Sequence, residues 1–393
     1  MKYIYSFKES RGRPMDYDVT CVIPRWGRTF QNIMDKLADI SDQQQEIREV
    51  AGIISQGKAK ASIDPVKAKK FLDSFNCPYL CLAPDRKRKE RFYRVGFLGM
   101  KISINGIIVR LEGDEPHNGS SLIKLDEVDF TVVGMDELLS MNQLYLRNPE
   151  KVTKWGMYNY NIDKDTDLRI VGSANLKIYN KVAGRKLTDF VGFFLIVNKD
   201  SIDDNLGYDK LIQHGAPIFV KGRYEGLVHT LLPDANTVSV ENVEDAVLVN
   251  KGGVGIEIIQ SGSTIKQKGL KVYGAPLFLS ESLYVADYHR YLKNEKLRKL
   301  LEYLEPVGYF EREHITNYVE WFKALEINLG ESWINKPAPE EIFCSLEDVE
   351  NGLRPYRLKT RWWVPSDQYK VKEAVNSVLM SLALIKKLYK ESS

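Results

Sequence analysis

Cysteine is scarce in this sequence: four in 393 residues, too few to staple a chain of that size. Cys77 and Cys81 flank Pro78 with no histidine or further cysteine at zinc spacing, which argues against a metal site. The histidines, His117, His214, His229, His289 and His314, are scattered without ligand spacing. No Ser-His-Asp or Cys-His arrangement stands out. There is no run of about 18 apolar residues, so no membrane span is expected. The opening MKYIYSFKESRGRP is charged early and lacks an apolar stretch, unlike a secretory signal. A charge excess is missing too: 56 basic against 53 acidic residues leave +3. That is too balanced for nucleic-acid binding without a local basic patch. Repeats and low-complexity segments are also lacking. A reduced, cytoplasmic compartment with no membrane and no nucleic acid is the expectation.

What the chain does have is the make-up of a soluble globular protein, 44% hydrophobic and 28% charged, long enough for two or three domains. Strand and helix patterns alternate. YDVTCVI (17–23) is rich in β-branched residues and reads as a strand. It leads through PRWGR into TFQNIMDKLADI, where Phe30, Ile33, Met34 and Leu37 share one helical stripe and Thr29 is the expected cap. Residues 41–92 read as a helical insertion ending in the charge run DRKRKERFYR, expected as a solvated helix face. YRVGFLG, GIIVRL, VDFTVVG, FVGFFLIV, APIFVKG, NTVSV and GVGIEII read as strands, and MDELLS as a helix start. This alternation predicts parallel pairing with crossover helices. Beyond 290, YLKNEKLRKLLEYL and PSDQYKVKEAVNSVLMSLALIKKLY are amphipathic helices joined by a proline-punctuated connection. Their apolar stripes suit packing or self-association.

SGSTIKQKGL (261–270) follows the strand GVGIEII and opens a short helix. Backbone N–H groups at a helix start, with Ser and Thr hydroxyls and a permissive Gly262, can seat a phosphate. Ser, Gly and Thr are also ordinary turn material, so the pattern alone fits either reading. Glu257, just upstream, could bind ribose hydroxyls beside a bound 5′-phosphate.

The stretch from Val240 to Leu270 resembles the signature of the ATP phosphoribosyltransferase family. Glu244 stands at its Val-Glu step, Glu257 at its Asp, and Ser261, Gly262 and Thr264 at its Thr-Gly-x-Thr, with Ile265, Gly269 and Leu270 closing it. VIPRWGRTFQNIMDKL is similar to the family's opening Leu-Pro-Lys-Gly-Arg: Pro24, Gly27 and Arg28 match, Arg25 replaces Lys, and Trp26 is inserted. VRLEGDEP and VDFTVVGMDELL resemble a further pair of family segments through Arg110, Asp114, Pro116, Asp129, Gly134 and Asp136. The three segments occur in family order and span about 18–290. The family's Ser before Thr-Gly is Gln260 here, an Asp is Gly253, and a Gly-Ile-Thr-Gly turn is Thr131–Gly134. These departures leave the accepting base open. The long form of the family carries a histidine-binding regulatory domain; 291–393 reads as helices instead, so feedback inhibition is not carried over.

The resemblance implies an α/β, two-lobed, periplasmic-binding-protein-like (type II) fold with a mostly helical C-terminal extension. Lobe I would hold 1–165 and 271–290, with the insertion at about 41–92; lobe II would hold 166–270, and 291–393 would follow as the helical part. The implied reaction moves phosphoribosyl from phosphoribosyl diphosphate to N1 of ATP and releases pyrophosphate, the first step of histidine biosynthesis. Glu257, Ser261, Gly262, Ser263 and Thr264 would bind phosphoribosyl diphosphate. Arg25, Gly27, Arg110, Asp114, Gly134 and Asp136 would serve the pyrophosphate or nucleotide, and Arg28 and Glu244 would be catalytic. Mg²⁺ would ride on phosphate oxygens with no dedicated protein ligand. A homo-oligomer is expected. Transfer to another nitrogen heterocycle and a non-catalytic two-lobed binding protein are the competing functions.

Overall fold

A computed structural model describes residues 16–60, 65–84 except 76, 93–114, 123, 128–137, 168–180 except 175, 184–198, 217–232, 235–250, 252–304 and 312–336. In chain order the first elements are β1 (Val19–Pro24), α1 (Arg28–Ile40), α2 (Gln44–Lys60), α3 (Pro65–Asp73), β2 (Leu80–Pro84), β3 (Tyr93–Phe97), β4 (Met100–Ile104), β5 (Ile107–Asp114) and β6 (Phe130–Gly134). Then come β7 (Leu168–Ser173), β8 (Lys177–Asn180), β9 (Arg185–Thr188), β10 (Val191–Asn198), β11 (Ile218–Lys221), α4 (Glu225–Leu231), β12 (Thr237–Val240) and α5 (Val243–Val249). The last are β13 (Val254–Ile259), α6 (Ser263–Gln267), β14 (Leu270–Ser280), β15 (Ser282–Asp287), α7 (Tyr288–Lys293), α8 (Glu295–Leu304), α9 (Arg312–Leu329) and β16 (Trp333–Ile334).

The chain divides into two compact units, one drawn from residues 1–133, 161–176 and 283–307, the other from 134–160, 177–282 and 308–393. The first is built on a six-stranded sheet in the order β4-β5-β1-β6-β15-β7. β1 runs parallel to β5, from Val19 opposite Val109 to Pro24 opposite Asp114, and parallel to β6 on its other side. All six residues of β1 are buried. The α1 stripe of Phe30, Ile33, Met34 and Leu37 packs into the same core, as period-3.6 patterning requires. Leu297, Leu300, Leu301 and Leu304 of α8 join that core too.

The second unit repeats the plan with a sheet ordered β12-β11-β13-β10-β14-β16. β11 lies parallel to β12 and β13. Both sheets therefore contain a parallel trio in which the chain's first strand stands between its second and third. At the first strand's carboxyl end the connections leave to opposite sides, and such a switch point is where open α/β sheets place ligands.

Several expectations give way. Pairing is mixed, because β10 is antiparallel to both β13 and β14. Its six inner residues are buried on both faces, and a continuous apolar run reads the same in either orientation. The insertion at 41–92 is helical in α2 and α3 but ends in β2, which pairs antiparallel with β3. Helix α1 starts one residue before Thr29, with Gly27 (φ 98°) at the cap position and no side-chain cap bond. Residues 85–92 of the charge run, the rest of MDELLS beyond 137, and the amphipathic stretch at 365–389 lie outside the described residues. The C-terminal part contributes a strand as well as helices: β16 adds parallel to β14, with Trp333 donating from Nε1 to the Gly274 carbonyl at 2.9 Å. Among the described residues no helix is long and apolar enough to cross a membrane.

Candidate functional site

In the second unit the switch point falls between the carboxyl ends of β11 and β13, where Lys221 and Glu257 face each other. Lys221 Nζ donates to both carboxylate oxygens of Glu257, at 2.6 and 2.7 Å. The carboxylate is almost buried, and the lysine side chain is about a third exposed (31%). A buried carboxylate without such a partner would be strongly disfavoured. Glu257 Oε1 also accepts the backbone N–H of Ile258 at 3.0 Å.

Three residues beyond β13 the chain turns through Gly262, whose φ of 72° is left-handed and suits glycine. Ser263 and Thr264 follow, exposed at the start of α6, while Ile265 anchors the turn in the core. Ser261 and Ser263 share a hydroxyl–hydroxyl bond of 3.0 Å. Exposed hydroxyl donors on a backbone held by a buried anchor suit a phosphate dianion. Glu244 lies half-buried in the first turn of α5, which follows the carboxyl end of β12. That helix is capped by Asn242, whose side chain accepts the Asp245 N–H at 3.0 Å.

The structure treats Asp136 differently. Its carboxylate is buried and accepts hydrogen bonds from Ser280 Oγ and, at 2.7 Å, from the Tyr224 hydroxyl. Arg223 pairs with the adjacent Glu137 at 3.1 Å, and Tyr224 OH lies 3.0 Å from the same Glu137 oxygen. Burial first, then the two carboxylates, pushes the Tyr224 hydroxyl well above its ordinary pKa, so it remains a donor. Gly134 leaves room for this network, since a Cβ there would come within 2.4 Å of Asp136 Oδ1.

In the first unit, Arg25, Gly27 and Arg28 follow β1. The Arg25 N–H donates to the Asp114 carbonyl at 3.0 Å, carrying the β1–β5 ladder one step further. Its guanidinium lies 4.2 Å from the centre of the Trp26 ring. Gly27 and Arg28 are exposed, and Asp114 is buried at the end of β5. Arg110 is held by Glu112, to which its Nε donates, and lies over the Tyr17 ring at 5.6 Å. Burial raises the Glu112 pKa against the opposing pull of Arg110.

The predicted residues thus fall into two groups. Glu257, Glu244 and 261–264 gather at the carboxyl ends of the second unit's parallel trio. Arg25, Gly27, Arg28 and Asp114 gather at those of the first. Arg110 and Asp136 are engaged by neighbouring side chains. Sequence reading missed Lys221, although APIFVKG ends its strand with it, and Asn328, for which nothing in the sequence pointed at the loop. Among the described residues, no group of three or more His, Cys, Asp and Glu side chains is placed to hold a metal.

A family model described as halobacterial ATP phosphoribosyltransferase matches residues 15–306. No curated protein matches the sequence. Among solved structures, the chain is similar to the ATP phosphoribosyl transferase (HisG:HisZ) complex from Thermotoga maritima, with 12% identity, coverage of 73% of this chain and 97% of that one, and a TM-score of 0.39. It is also similar to a TRAP periplasmic solute-binding protein from Ochrobactrum anthropi, with 12% identity, 95% and 96% coverage, and a TM-score of 0.45.

Proposed function

Because the chain belongs to the halobacterial ATP phosphoribosyltransferase family, we propose that it transfers phosphoribosyl from phosphoribosyl diphosphate to N1 of ATP and releases pyrophosphate. The observation that carries the residue assignment is the exposed Ser263–Thr264 turn at the switch point, directly after the Glu257–Lys221 pair. Ser261, Gly262, Ser263 and Thr264 take the 5′-phosphate through N–H and hydroxyl donors. Glu257 accepts from the ribose hydroxyls, held in place by Lys221.

The reaction forms a bond from N1 of adenine to the anomeric carbon as the carbon–oxygen bond to pyrophosphate breaks. The pyrophosphate leaves with the electron pair. Positive charge builds on the sugar and negative charge on the departing oxygens, so placement and electrostatic stabilisation supply the catalysis. Glu244 offers a carboxylate to the sugar's developing charge. Arg28, exposed after β1, and Arg25 serve the polyphosphate groups. Gly27 and Asp114 shape that turn. Gly134 and Asp136 act by organising the Tyr224 network rather than by touching nucleotide, and Arg110 is assigned to Glu112. Mg²⁺ enters with the diphosphate as part of the substrate. The reaction belongs in the cytoplasm, within histidine biosynthesis.

Pyrophosphate release from phosphoribosyl diphosphate, measured with ATP and with a panel of nitrogen heterocycles, tests this reading. Release dependent on ATP is expected. Release only with another base would replace the acceptor, and none with any acceptor would end the enzyme reading.

A further inference from the structure

Helix α9 lies outside the family-matched residues, which stop at 306, yet it holds the turn just described. Trp321 Nε1 donates to the Gln260 carbonyl at 3.0 Å. Asn328 Nδ2 donates to the Ser261 carbonyl and lies 3.4 Å from Ser263 Oγ. Leu325 and Leu329 close over Gly262, where an added Cβ would fall 2.4 Å from Leu329 Cδ2. Four successive turn residues, 260–263, are thus fixed from one helix, on which Trp321, Leu325, Asn328 and Leu329 are all buried.

We propose that Asn328 is a positioning residue for phosphoribosyl binding, and that α9 sets the turn in its phosphate-accepting form. The inference rests on the functional reading above. The chemistry is one of donor and acceptor counts. A serine hydroxyl has one proton to give and two lone pairs to fill. When the Asn328 amide and the Ser261 hydroxyl fill the two acceptor sites of Ser263 Oγ, the Ser263 proton is left for an anion. The same amide satisfies the Ser261 carbonyl, which would otherwise repel a phosphate oxygen.

The test is calorimetric binding of phosphoribosyl diphosphate, and separately of ribose 5-phosphate, to the full chain and its variants. Asn328→Leu keeps the volume and removes the donor; Trp321→Phe removes one N–H and keeps a ring. Affinity for both ligands should fall about fivefold in Asn328→Leu, the worth of one ordinary net hydrogen bond, with KM for ATP unchanged. Ile327→Ala, at an exposed position of the same helix, should bind like the parent. If Asn328→Leu does not fold, the same weakening is read in Trp321→Phe. Unchanged affinity in folded Asn328→Leu, or in Trp321→Phe where the first does not fold, overturns the proposal. Failure of the parent chain to bind either ligand overturns the functional reading instead.

Discussion

Thr264 and Lys221 show how differently two residues of one site can be tested. Thr264 is exposed and bears no packing load, so Thr264→Val should leave thermal stability unchanged. It should weaken phosphoribosyl diphosphate about tenfold, the scale of a hydrogen bond to a charged group; unchanged affinity by calorimetry would place the 5′-phosphate elsewhere. Lys221→Met strands the Glu257 carboxylate. A fully buried pair broken in this way costs about 3–5 kcal/mol. With the ammonium partly in water, about 1–2 kcal/mol is expected from urea midpoints. Asp189 is different again: burial raises its pKa to about 7, aided by the nearby Glu281 and opposed by hydrogen bonds from Ser282. The folded state holds this proton where the unfolded chain, titrating near 3.8, has lost it. Stability from this group is therefore full below pH 3.8 and is lost as pH rises towards 7. Asp189→Asn should flatten the pH 4–7 part of the urea-midpoint profile; an unaltered profile would mean the carboxyl is ionised throughout.

Elements were legible where periodicity was unambiguous. The α1 stripe, buried as the sequence implied, is one such case; Phe30, wholly buried 5.6 Å from the Phe97 ring, should cost about 3–5 kcal/mol as alanine in chemical denaturation. The cap was missed because a glycine at φ 98° can enter a helix without the side-chain bond that Thr29 advertised. The direction of β10 was hidden because burial on both faces erases the period-2 signal. The 261–264 turn was legible as a phosphate-binding candidate from its Ser, Gly and Thr. The reason for glycine there was not: the sequence suggested room for an anion, while the structure shows Leu329 pressed against the same position. Gly262→Ala should accordingly shift the turn and weaken phosphoribosyl diphosphate more than Thr264→Val does, as read by calorimetry.

At the scale of the whole chain, family order of three short segments gave away more than composition did. Those segments mark strand ends, and two sheets with the same parallel trio explain why they recur at turns. Side-chain partners brought together only by folding, such as Asp136 with Tyr224, leave no spacing signal, because they lie 88 positions apart. The C-terminal part was legible as helix and not as strand, because two residues of β16 carry no pattern of their own. Their weight lies in Trp333, packed edge-on against Phe194 at 5.7 Å and Phe322 at 5.2 Å. Trp333→Ala should lower amide protection in β14 while α8, in the other unit's core, keeps its own; uniform loss by hydrogen exchange would contradict that division.

The grip of α9 on residues 260–263 also works in reverse. Binding free energies couple symmetrically, so a helix that improves the turn's hold on substrate is itself steadied when substrate arrives. The cell's supply of activated sugar would then tune how firmly α9 is docked, making that helix a gauge of substrate.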